Sequence, residues 1–341
     1  MRPVRRTRTN AVVRPLRGRP DGEPPVSARG GAGERPLRFA ALGDSLTEGV
    51  GDPVVTGPRG WAALLAPALT PHPVEFRNLA TSGALVHDVA ADQTPRALTY
   101  RPDLAAVIVG VNDTLRSSFD IGRITADLDQ AFQRLSRQGA VLLTACLPDP
   151  GRMLRLPAPL ARPLARRQRA VNSVVHALSA RHDAVHLHLA DAGWTADWSL
   201  WSADRLHPNE RGHRLVAAGF HALLAERGLA RGPAPVRAPD QPPPTRAQTL
   251  RWLATAGTAW VARRCRDLLP QLLALSATEA AHWARGTGAR LDARARQQTT
   301  AALAVLPALP ALPKPSATPS PPVPSALPRP SAPLGRPLPG P

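Results

Sequence analysis

From residue 37 the apolar positions form short runs separated by stretches of helical period. Leu37–Leu42 is a mainly apolar run that reads as a buried strand. Gly60–Leu69 sets Trp61, Leu64, Leu65 and Leu69 on one helical face, and Pro71 and Pro73 stop it. Val74–Leu79 reads as a second strand, and His87–Leu98 as helical. Leu104–Val109 is apolar throughout, as a strand buried on both faces should be. Ile121–Gln138 is a helix with Ile124, Leu128, Phe132 and Leu135 on one side. Gly139 ends it, and Ala140–Cys146 is a fourth strand. Leu160–His182 is a long basic helix with Val171, Val174, Val175 and Leu178 facing in. Val185–Leu189 is a short fifth strand, and Glu210–Glu226 the closing helix.

Five strands alternating with helices predict a parallel sheet covered on both faces, a three-layer α/β/α sandwich. In such a sheet, function collects at the carboxyl ends of the strands.

Composition divides the chain. Forty prolines in 341 residues is roughly twice the usual share of about 5%, and most lie toward the two ends. Residues 1–38 carry a net +7, residues 39–230 only +1, and residues 231–341 a net +10. The folded middle is therefore nearly neutral, which argues against a nucleic-acid-binding core. The basic flanks could still touch an anionic membrane. Residues 1–35 hold too few large apolar groups to offset their ordering entropy, so disorder is expected there. The folded unit spans 36–230. A Pro-rich linker at 231–247 follows, then an amphipathic helical extension at 248–300 and a Pro-rich, disordered tail at 301–341. Two amphipathic helices are expected in the extension, folding back over an apolar patch or lying on a membrane.

Cys146 and Cys265 lie far apart with no CxxC, which excludes a disulfide framework or a cysteine-based zinc motif. Arg5-Arg6 is followed only by Ala11-Val12-Val13 before Arg14 and Pro15, too short for a signal peptide. No apolar run reaches the roughly 18 residues that would span a bilayer. A soluble, cytoplasmic protein is expected.

Four short stretches lie where strand ends should be: Gly43-Asp44-Ser45-Leu46, Asn78-Leu79-Ala80-Thr81-Ser82-Gly83, Gly110-Val111-Asn112-Asp113 and Asp204-Arg205-Leu206-His207-Pro208-Asn209. Alone, Gly43-Asp44-Ser45 reads equally as a turn that exposes a hydroxyl or as ordinary turn chemistry. Together and in this order, the four blocks resemble the SGNH (GDSL-type) hydrolase family of esterases and lipases, over about residues 37–228. The resemblance implies a flavodoxin-like α/β/α fold and a serine esterase that cleaves carboxylic esters through an acyl-enzyme, without metal or organic cofactor. It implies Ser45 as nucleophile, His207 as base and Asp204 as the acid that orients it. It implies an oxyanion hole of the Ser45 and Gly83 backbone N–H groups and the Asn112 amide. The partner so implied is a small-molecule or lipid ester. The motif is not Gly-x-Ser-x-Gly, so the α/β-hydrolase elbow is not the template.

Other candidates read as structural. Asp44 and Asp113 suit loop-holding hydrogen bonds to backbone. His186 and His188, two apart on one strand, face the same way, but with no third ligand near them in sequence no metal site is expected. Trp194, Trp198 and Trp201 either wall the substrate pocket or pack. The loops after Ser82, after Asp113 and around Gly151–Pro163 should set acyl-chain length, the last as a lid-like segment. The rival function is a binding or membrane-surface adaptor that works through the basic flanks.

Overall fold

The computed structural model describes residues 35–55, 57–240 and 273–308, with Ala247 between them. The expected disorder of 1–34 and of 309–341, and the first of the two expected C-terminal helices, concern residues outside this set. The tail expected to be disordered from 301 is instead helical through Ala304, because Leu303 packs on the core.

Five parallel strands form one sheet: β1 (Leu37–Gly43), β2 (Val74–Asn78), β3 (Leu104–Ile108), β4 (Val141–Cys146) and β5 (Val185–His188). Their order is β2-β1-β3-β4-β5. Phe39 pairs in register with Leu104 and Leu143 with Val185. The order reverses between β1 and β3, the switch point where open α/β sheets place ligands.

Alternation along the strands sorts the core into two layers. Phe39 and Ala41 of β1, with Leu104, Ala106 and Ile108 of β3, face one side. There they meet helices α1 (Gly60–Leu65) and α5 (Glu210–Glu226). Trp61 and Phe220 stack with ring centroids 4.8 Å apart, worth about 0.5–1.5 kcal/mol beyond the buried area. Ala40 and Leu42, with Ala105 and Val107, face the other side. There lie α2 (Thr94–Tyr100), α3 (Ile121–Arg137) and α4 (Ala158–Arg181). A period of two on strands buried on both faces thus builds the expected sandwich.

Two helices depart from the sequence reading. The stretch read as one helix over His87–Leu98 is a turn at Val86–Asp88, a π-helical turn at Val89–Gln93, then α2. Pro95 has no N–H to continue the ladder, and the Thr94 N–H reaches back five residues to Val89 O. The long helix α4 starts at Ala158 and contains Pro163, so that proline lies in the helix and not in a lid. Pro159, in the first turn, costs little because those N–H groups have no intrahelical partner, whereas Pro163, inside the helix, cannot donate back along it.

Beyond α5 the chain stays on the domain. Arg231 N donates to Leu69 O at 2.9 Å, and Asp240 N to Glu210 Oε1 at 2.6 Å. Residues 273–284 are helical, and α6 (Gly288–Ala304) packs across α3 and α4. Leu303 and Leu306 rest on the α3/α4 side of the core. Arg166 of α4 ties this segment down, pairing with Glu279 at 2.9 Å and Asp292 at 2.8 Å. Among the described residues no helix is long and apolar enough to cross a membrane.

Candidate active site

β1 ends on Gly43, with φ +146°. A Cβ there would stand 2.1 Å from the Ile108 carbonyl oxygen, so only glycine lets β1 and β3 end this close. Gln93, buried, holds the same residue: its Oε1 accepts from Gly43 N at 2.7 Å and its Nε2 donates to Gly43 O at 2.9 Å. The π-helical turn is what aims Gln93 there. Asp44 then caps a one-turn helix, Ser45–Glu48, accepting from Leu46 N. Ser45 is thereby the second residue past a strand end pinned at both its N–H and its carbonyl.

The second block ties in through its polar groups. Asn78 Nδ2 donates to Thr47 O at 2.8 Å, and Ser82 N donates to Glu48 Oε2 at 2.7 Å. These bonds tie the end of β2 and the loop after it to the Ser45 helix. Gly83 follows with φ +86°, a conformation that suits glycine. Asn112 sits just past β3, and its amide donates to Ala84 O at 3.1 Å and to Asp44 Oδ2 at 3.4 Å. Asn112 thus reaches the Asp44 side chain, and Gly83 follows Ser82, which is tied to the Ser45 helix.

The fourth block comes from the loop before α5. His207 Nε2 lies 2.7 Å from Ser45 Oγ, and His207 Nδ1 lies 2.6 Å from Asp204 Oδ2. The other Asp204 oxygen accepts from Leu206 N at 2.9 Å, His207 N at 3.0 Å and Ser202 Oγ at 2.7 Å. Burial raises the Asp204 carboxyl, but the His207 contact and these N–H groups overrule it and hold it near 2. An ionised Asp204 keeps the imidazole proton on Nδ1. Nε2 is then left to accept from the Ser45 hydroxyl. Ser202 N donates to His207 O at 2.9 Å, closing the loop. Asn209 ends it by capping α5, accepting from Arg211 N and Gly212 N.

Two further carboxyls are near. Burial pushes Asp44 up to about 6 and Asp113 up to about 7. Asp113 receives Val86 N on both oxygens, at 3.3 and 3.2 Å. Each holds a loop through backbone N–H groups; for Asp113 the partner lies 27 residues away. His213, buried beneath the site, is held down at about 4 by desolvation. Its Nδ1 accepts from Trp61 N at 3.2 Å and its Nε2 donates to Val50 O at 3.0 Å.

The tryptophans divide. Trp194 and Trp201 lie 4.5 Å apart, and Trp201 is buried. Trp198 is exposed, with the Arg155 and Arg205 guanidinium groups 4.6 and 4.9 Å from its ring centre. The loops after Ser82 and after Asp113 border one cleft, lined by Leu85, Val86, Arg116, Phe119 and Ile124 among others. His186 and His188 do have further donors at hand: His176 of α4 and Cys146 of β4 stand beside them. These come from elements distant in sequence, which is why spacing alone missed them.

Sequence reasoning did not find Gln93 or Ser202. Neither lies in a motif, and their partners are set by tertiary packing.

The arrangement offers a hydroxyl, an imidazole to take its proton, a carboxylate to fix that imidazole, and nearby donors. A family model described as the GDSL-like Lipase/Acylhydrolase family matches residues 41–215. No curated protein matches the sequence. Among solved structures, TesA is similar at 22% identity, over 56% of this chain and 99% of that one, with a TM-score of 0.46. A lipase/acylhydrolase from Enterococcus faecalis is similar at 17%, over 59% and 100%, with a TM-score of 0.46. A lipolytic G-D-S-L protein from Veillonella parvula is similar at 24%, over 56% and 97%, with a TM-score of 0.44.

Proposed function

The chain belongs to the GDSL-like lipase/acylhydrolase family, which supports hydrolysis of carboxylic esters, and we propose that Ser45 carries this out as a covalent nucleophile. The supporting observation is the continuous chain Ser45 Oγ–His207 Nε2, 2.7 Å, and His207 Nδ1–Asp204 Oδ2, 2.6 Å. A serine hydroxyl is a weak nucleophile without such a base.

In this reading Ser45 Oγ attacks the acyl carbon while its proton passes to His207 Nε2. The carbonyl π pair moves onto oxygen. Asp204, ionised, stabilises the imidazolium without taking its proton. The oxyanion accepts from the Ser45 and Gly83 N–H groups and the Asn112 amide. The amide's contact to Asp44 Oδ2, at 3.4 Å, is long, so that N–H is the one a substrate oxygen would take over. Collapse breaks the ester C–O bond, and His207 gives its proton to the leaving alcohol. A water then repeats the sequence on the acyl-Ser45, releasing the acid and restoring the serine.

The test is hydrolysis of p-nitrophenyl esters from acetate to palmitate, by the full chain and by Ser45→Ala. Cleavage by the wild type and none by a folded Ser45→Ala is the expected result, and the preferred length sorts small acyl groups from lipids. An active Ser45→Ala would overturn the assignment. Fluorophosphonate labelling at Ser45 is expected alongside.

A further inference from the structure

At the far edge of the sheet, away from Ser45, a second group of chemically capable side chains takes no part in ester hydrolysis. Cys146 ends β4, and His186 and His188 lie on β5. In the parallel register Cys146 pairs with His188 and Thr144 with His186, so the four side chains share one face. α4 covers that face and adds His176. One donor atom from each of Cys146, His176, His186 and His188 lies within 4.8 Å of the others. Cys146 Sγ is 3.8 Å from His188 Nδ1. The three imidazole rings stand with centroids 4.7, 4.8 and 5.2 Å apart.

A second observation concerns the state of His186. Its Nδ1 lies 2.9 Å from Thr144 Oγ1 and 3.2 Å from Ser179 Oγ. Ser179 donates its one proton to Val175 O at 2.6 Å, so toward its other neighbours it accepts. Thr144 Oγ1, 2.7 Å from Ser179 Oγ, must then give its proton to Ser179. Both hydroxyls therefore accept from His186 Nδ1–H. His186 Nε2 is left as a bare lone pair, buried and without a hydrogen-bond partner. A buried polar atom in that condition calls for an explanation. An imidazole whose far nitrogen is fixed by neighbouring groups is also how proteins orient a metal ligand.

We propose that Cys146, His176, His186 and His188 bind one divalent first-row transition-metal ion, zinc being the ion that these donors suit best. Three neutral imidazoles and one thiolate form a closed set of four protein ligands, the pattern of structural zinc sites. Tetrahedral zinc wants donors about 3.3–3.6 Å apart, so the cluster contracts on binding. His176 and His188 are exposed and free to turn inward, whereas His186 is already aimed. The Cys146 thiol gives up its proton as the metal–sulfur bond forms, so one proton is released per ion. The ion would clamp edge strand β5 to β4 and α4, and the chain leaving β5 leads to the Asp204–His207 loop.

Cobalt(II) added to the metal-free, untagged full chain tests this. One equivalent is expected to give the visible d–d bands of tetrahedral cobalt and a near-ultraviolet thiolate charge-transfer band, both removed by zinc. Cys146→Ser should abolish the charge-transfer band. His176→Ala and His188→Ala change exposed side chains, so folding is retained, and each should weaken binding by more than the roughly 10–100-fold of an outer-shell loss. Ser179→Ala should fall within that outer-shell range. Zinc should raise the Tm of the wild type and not of the His176→Ala/His188→Ala double variant. Octahedral cobalt spectra, no charge-transfer band, or binding unchanged in the double variant would leave a plain stack of imidazoles and overturn the proposal.

Discussion

Gln93 grips Gly43 by both ends of one residue, accepting from its N–H at 2.7 Å and donating to its carbonyl at 2.9 Å. Two residues further on is Ser45. The amide thus sets the position of the strand end from which the hydroxyl is presented. Gln93→Leu leaves the buried Gly43 N–H without this acceptor, at a cost of about 1–3 kcal/mol. It should also lower kcat by up to about 100-fold through misplacement of Ser45. Urea unfolding and ester kinetics on the same preparation check both, and an unchanged kcat would refute the positioning role.

Asp204→Asn keeps an oxygen for Leu206 N and His207 N but turns an NH₂ toward His207 Nδ1. That forces the imidazole proton onto Nε2, where it can no longer accept from Ser45. kcat should drop by roughly 10⁴-fold with little change in fold. Circular dichroism and steady-state ester hydrolysis measure the two parts.

Asp113 gives stability a pH dependence. Its folded carboxyl is raised to about 7 by burial, against an ordinary value of 3.8. A raised carboxyl contributes stability that is present below 3.8 and is lost as pH climbs through 7. The loss is on the order of 4 kcal/mol once ionisation is complete. Asp113→Asn can still accept from Val86 N and has no proton to lose. Its stability relative to wild type should therefore rise between pH 4 and pH 8, read by urea midpoints at each end. His213 slopes the other way and Asp44 the same way in both proteins, so the difference reports Asp113 together with its repulsion by Asp44.

Arg166 is the anchor of the C-terminal segment. Glu279, 5% exposed in its side chain, faces it at 2.9 Å. Arg166→Ala strands that buried carboxylate, and breaking such a pair costs about 3–5 kcal/mol. Hydrogen exchange should rise first in α6 and in 273–284, with the Ser45 site protected as before. Uniform exchange across the domain would contradict this.

The sheet and the grouping of Ser45, Asp204 and His207 were readable because each signal is local. Strands buried on both faces show as short apolar runs, and the candidate residues sit in short sequence blocks. The rest depended on contacts between distant segments. Gln93 gained its role when Pro95 shifted the helical ladder by a residue. Ser202 gained its role from a loop closed by the His207 carbonyl. His186 and His188 were seen to share a face, but Cys146 reaches them through strand register and His176 through helix packing. Neither relation leaves a spacing in the sequence.

Arg166 meets Asp292 across 126 positions of chain. A polypeptide emerging from the ribosome completes all five strands and α5 well before α6 exists. During that interval the outer face of α3 and α4, later covered by Leu303 and Leu306, stands open to water. The nascent domain thus passes through a stage with its sheet assembled and the core beneath Leu303 and Leu306 uncovered, when chain–chain association competes with folding. Slow synthesis through the intervening proline-rich stretch would lengthen that exposure, making translation speed between α5 and α6 a determinant of yield.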